Sequence, residues 1–165
     1  MNISNMIAES AIQYPEAKNG PFAAAPIGKI IRDEIPEALR NKLSLVGYAV
    51  KGSIGNGQFA SIPWIAIMDS EVTSTTTEGF YIVFLFSSDG RRVYLTLNQG
   101  ITYFNKKKYK QSKVKDISNK IYERFPSSTA ARMEIDLFSD TDLGKGYEPT
   151  TVSAFEYDTS NMPAE

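Results

Sequence analysis

A chain of 165 residues, 42% apolar and 22% charged, has enough apolar material for one domain with a real core. It contains no histidine and no cysteine, which excludes His-dependent triads, thiol nucleophiles, disulfides and His- or Cys-based zinc sites. A formal net charge of −1 gives no global attraction to nucleic acid. The longest apolar run, FYIVFLF at 80–86, is far short of the ~20 residues of a membrane helix, so no membrane partner is expected. The lack of cysteine suits a reducing cytoplasm, the compartment expected here.

In chain order, residues 3–14 predict a short helix, and a Pro/Gly/Ala-rich irregular stretch leads to residue 26. Ile27, Ile30, Ile31, Ile35, Leu39 and Leu43 keep close to a 3.6-residue period, with Pro36 expected to kink or split that helix. Strands follow at 45–52, 61–68, 79–87 and 91–100. A glycine loop at 53–60 joins the first two, and Ser88-Asp89-Gly90 makes a tight turn between the last two. The strands at 61–68 and 79–87 are apolar on both faces, which places them centrally. An amphipathic helix is predicted over 107–125, with Val114, Ile117, Ile121 and Phe125 inward, then strands at 131–138 and 150–157. The closing DTSNMPAE has the residues of a helix start, which suggests a piece of a longer protein. The fold class expected is α+β: a single domain with a mixed, curved β-sheet flanked by helices.

Several apparent sites dissolve on inspection. Gly28-Lys29 lacks the earlier glycine and the following Ser or Thr of a P-loop. DTDLGKGYEPTT starts like a calcium loop, but Leu143 and Gly144 break it and Thr151 stands where the final Glu belongs. Glu134 and Asp136, with Lys145 nearby, faintly echo a metal-dependent nuclease, yet paired acids on an exposed strand face are ordinarily just solvated. No metal, cofactor or catalytic residue is therefore expected. Charge is uneven along the chain: KKKYKQSKVK at 106–115 holds no acid, whereas Glu134, Asp136, Asp140, Asp142 and Glu148 crowd 133–148. The basic run is either a solvated helix face or a phosphate-contacting patch, and Arg91 and Arg92 share that ambiguity.

The stretch GNGQFASIPWIAI at 55–67 sets a small, flexible loop just before the only Trp. A core position would explain Trp64 but not the loop. YAVKGSIGNGQFASIPWIAIMD, followed by EGFYIVFLFSSDGRRVYLTLNQG, resembles the N-terminal domain of McrB-type, modification-dependent restriction proteins. The similarity is clearest over 44–105 and weaker over 147–161. The resemblance implies a single DNA-recognition domain over 1–165 with its core at 44–157, the N-terminal part of a protein carrying an AAA+ GTPase motor. It implies a non-catalytic module that flips a modified cytosine out of double-stranded DNA, with the nuclease on a separate subunit reached through the motor domain. Carried over by position, Trp64, Tyr81 and Leu85 would form the base pocket. Gly55, Asn56, Gly57 and Gln58 would enter the duplex. Phosphate contacts would come from Ser61, Arg91, Arg92, Lys106, Lys107 and Lys108. Asn56 departs from the bulky residue that would best fill an emptied stack. The competing reading is a protein-interaction or regulatory domain whose aromatic groove takes another ligand.

Overall fold

The computed structural model describes residues 2–125, 130–131 and 134–164. Its frame is a five-stranded sheet in the order β1-β2-β3-β4-β5, built from Tyr48–Ser53, Trp64–Asp69, Phe80–Phe86, Arg92–Gln99 and Thr151–Asp158. The α+β class and the single domain are as expected, but every strand pair is antiparallel, so the sheet is not mixed. Each strand joins the edge left by the one before it. The long excursion between β4 and β5 returns antiparallel to the strand it left. The two-faced strands β2 and β3 are interior, as their apolar pattern requires.

One face of the sheet is covered by α1 (Ile3–Ala17), α2 (Pro26–Lys29), α3 (Ile35–Lys42) and the Ile30–Glu34 turn between the last two, which bury Ile7, Ile31 and Ile35 against Ile65, Phe86 and Val93. The stretch is split as expected, α2 ending at Lys29 and α3 beginning at Ile35 with Pro36 in its first turn. Ile30–Glu34 widens into a π turn, and the Ile35 amide bonds back to the Ile30 carbonyl. A widened turn accommodates a ring that can donate no hydrogen bond and would clash with the preceding turn. This helical stretch lies hard against β1. A Cβ on Gly52 would sit 1.7 Å from the Ile31 carbonyl oxygen, so only glycine fits. Gly52→Ala is expected to cost about 2–3 kcal/mol, seen as a lower urea midpoint with an unchanged slope.

The opposite face carries Ala66, Met68, Tyr81, Val83, Leu85 and Tyr94, covered by Ile135, Leu137 and α6 (Asp142–Thr150). Here the structure corrects the strand expected at 131–138; residues 132 and 133 lie outside the described residues. Ala131 makes only an isolated bridge to Ala154, and 134–138 forms no strand. Because β5 already occupies the edge of β4, this segment crosses the sheet's face instead. Leu137 gives its amide to Glu148 Oε1 and its carbonyl to the Ser88 amide. Ile135 and Leu137 still point inward, which is why the segment reads as a strand.

The helix expected over 107–125 is found as α5 (Gln111–Arg124); a short helix that was not expected, α4 (Ile101–Lys106), precedes it, and Lys108 turns the link between them with a left-handed φ of 53°. Phe125 is exposed rather than inward, and Ser118 is buried beside Val114. The helix start read at the end of the sequence is instead a turn. Thr159 ties it to the β3–β4 turn by donating to the Gly90 and Arg91 carbonyls. Among the described residues, no helix is long and apolar enough to cross a membrane.

Candidate nucleic-acid interface

The glycine loop is tethered at its neck. The Ala60 amide bonds to the Ile54 carbonyl at 2.7 Å, and the buried Tyr14 hydroxyl lies within hydrogen-bonding distance of both the Ile54 and Ala60 carbonyls. Phe59 packs edge-on against the rings of Tyr14 and Phe22. Burial holds the Tyr14 hydroxyl well above its ordinary pKa, so it stays a donor through the physiological range. Beyond this neck, Gly55 and Gly57 take φ values of 109° and 71°, and Asn56, Gly57 and Gln58 project into solvent. The result is a fixed stem bearing a tip of little bulk.

Trp64 opens β2 just past this loop and lies directly opposite Leu85 of β3. Loop and indole share one cleft of about 440 Å³, whose far wall is the first half of α6. Thr141 caps that helix by accepting from the Gly144 amide, and a Cβ on Gly144 would meet Ser139 and Ile62, so glycine lets the helix approach the loop. Leu143 stands exposed on this lip, across the cleft from Asn56.

Of the three residues expected to form a base pocket, Trp64 is half-buried and lines the cleft, while Leu85 is fully buried behind it. Tyr81 lies on the same face but four residues further along β3, about 13 Å at ~3.3 Å per residue. It is 3% exposed, and among the described residues its hydroxyl has no hydrogen-bond partner. Burial raises its pKa, with the neighbouring Tyr147 phenol adding to the effect.

Tyr147 was not anticipated. It reaches from α6 into the cleft wall, where its hydroxyl is hydrogen-bonded with the Trp64 side chain and its phenol acts on that of Tyr81; burial pushes its pKa up to about 12. The buried Asn98 fixes it by donating to the Tyr147 carbonyl and to Thr151 Oγ1. The only sequence signal was its place at the start of the weaker match over 147–161.

The residues expected to meet phosphates are dispersed. Ser61 donates to Asp140 Oδ1 at 3.0 Å, and that bond holds the Asp140 carboxyl below its usual range. Arg92 pairs with Glu156 at 3.0 Å and lies over the Phe138 ring, while Arg91 is exposed on the β3–β4 turn. Both arginines are at the Trp64 end of the sheet. Lys106, Lys107 and Lys108 follow the other end of the eight-residue β4, roughly 23 Å away along the strand.

The Gly-x-Gly loop and the only Trp thus line one cleft at the end of a five-stranded antiparallel sheet. The family described as "MrcB-like, N-terminal domain" matches residues 11–165. The chain belongs to that family. It is therefore a DNA-binding module of the McrB type. No curated protein and no solved structure matches it. Among the described residues, no group of three acidic side chains is placed to hold a metal ion.

Proposed function

We propose that this MrcB-like domain reads a modified cytosine of the 5-methylcytosine kind in double-stranded DNA by taking the base into the Trp64 cleft. The observation that carries the reading is the sharing of one cleft by the Gly55–Gln58 loop and Trp64. A flipped base needs a flat apolar partner, and stacking on an aromatic ring contributes roughly 1–3 kcal/mol. That offsets the few kcal/mol of unstacking and unpairing. The loop enters the gap left in the duplex. Asn56 hydrogen-bonds the orphaned guanine there but stacks poorly.

The unsatisfied Tyr81 hydroxyl supports the same reading. A buried donor without a partner costs about 1–3 kcal/mol, and a base edge that reaches it recovers that cost. Tyr147 interacts with both Trp64 and Tyr81, so a base that reaches the Tyr81 hydroxyl displaces it. One methyl group is worth only about 0.8 kcal/mol by burial, so discrimination also draws on shape and on these polar contacts. The domain acts without chemistry of its own. It belongs to a longer restriction protein whose AAA+ GTPase motor brings the nuclease subunit to marked, invading DNA.

The test is a titration of matched duplexes differing in one central cytosine (plain, 5-methyl, 5-hydroxymethyl or N4-methyl) at fixed moderate salt. One modified duplex should bind at least about fivefold tighter than the plain one, the low end of a single stacking contribution. Equal affinity for all four refutes modified-base reading and leaves the domain a DNA binder of another kind.

A further inference from the structure

The lysine run stands a strand's length from the cleft, beside a second cavity of about 390 Å³ between α4, α5 and the far ends of β3 and β4. We propose that this groove is a separate binding site for single-stranded nucleic acid, with bases stacked on Tyr103 and Phe80 and phosphates held by the surrounding lysines.

Two observations point the same way. Tyr103 and Phe80, both lining the groove, are 46% and 39% exposed, and Tyr109 lies half-buried beside them. Open aromatic faces of this kind accept any base. The cations frame that apolar surface. Lys106, Lys107, Lys108 and Lys110 are exposed at the α4–α5 break, and Lys113 lies 3.7 Å from the Tyr109 ring centroid. On α5, Lys113, Lys120 and Arg124 fall at i, i+7 and i+11, on the stripe that carries the groove-lining Ile117 and Ile121. The α5 acids Asp116 and Glu123 sit about 100–120° around the helix from Ile117.

The exposed Glu78 borders the groove beside Gly79 and Tyr103, but the cations outnumber it, so the aromatic surface lies in net positive charge. A duplex offers it phosphates but keeps its bases stacked inside, which leaves the rings unfilled. A single strand offers both phosphates and base faces. The site is independent of the Trp64 cleft, and its ligand needs no modified base.

The experiment follows anisotropy of a labelled oligonucleotide of about 12 thymidines, a length within the usual span of such sites, at low and rising salt. Binding should weaken with salt and fall about fivefold or more in Tyr103→Ala. Replacing Lys106 and Lys107 together by glutamine should reduce the salt slope by about 1.4, at ~0.7 per phosphate contact on a single strand. Trp64→Ala should leave this binding unchanged. Tyr103 is close to half exposed, and a urea midpoint measured beside the binding curve shows that its alanine variant is folded; Phe80→Ala is the second probe of the same surface. No retention of the oligonucleotide overturns the proposal. So does binding indifferent to both ring substitutions, binding lost with Trp64→Ala, or equal competition by an unmodified duplex of the same length.

Discussion

Trp64→Ala is expected to abolish the preference for a modified duplex while leaving low-salt retention of DNA largely intact. Stacking of roughly 1–3 kcal/mol corresponds to a loss of about 5–150-fold in affinity for the modified duplex. Affinity for plain DNA rests on phosphate contacts and does not pass through the indole. Trp64 also packs at the edge of the core under α6, so the variant loses some stability. A urea midpoint measured beside the binding curves separates the two effects. Trp64→Phe keeps a flat ring and should retain part of the preference. If the alanine variant is folded and its preference is undiminished, Trp64 is a core residue and nothing more.

The second large effect falls on the loop neck. At Gly55 the φ of 109° is glycine territory, and a Cβ would lie 2.1 Å from the Gln58 carbonyl oxygen and 2.6 Å from the Ala60 nitrogen. That nitrogen makes the neck hydrogen bond to Ile54, so Gly55→Ala must open the neck. Strain of this kind costs about 1–3 kcal/mol before any clash is counted. The Asn56 tip then loses its fixed position over the cleft, and duplex affinity should drop about tenfold or more, as that cost implies. Gly57→Ala is the control. Nothing lies within 4 Å of a Cβ there, so only the left-handed φ is penalised, about 1–2 kcal/mol. Equal effects of the two substitutions on binding would mean that the neck does not position the tip.

Much of the frame was legible because burial and chain grammar agree. β2 and β3 are apolar on both faces and proved interior, and Gly90 closes the β3–β4 turn at a φ of 75°. The segment 134–138 was misread because alternating Ile135 and Leu137 look alike whether a strand pairs at an edge or crosses a face. Its backbone partners, Glu148 and Ser88, are remote in sequence. The short helix α4 and the start of α5 at Gln111 rather than 107 were hidden, since no Gly or Pro marks the link between them; Lys108 takes the left-handed turn. The nearness of loop and Trp64 could be read directly, since few residues separate them. The other wall of the cleft could not. Thr141, Gly144 and Tyr147 arrive from the far side of the chain, and Asn98 positions Tyr147 through one buried side chain that sequence gives no reason to single out.

The central claim is that a modified base leaves the duplex and comes to rest against Trp64. With one Trp in the chain, its emission reports that contact without ambiguity. The domain is titrated with a duplex carrying a single 5-methylcytosine and with the plain duplex, each brought to saturation. Emission should be quenched by the modified duplex, level off at stoichiometric binding, and stay unchanged with the plain one. If both duplexes saturate the domain and Trp64 emission moves with neither, no base stacks on the indole and the account is wrong.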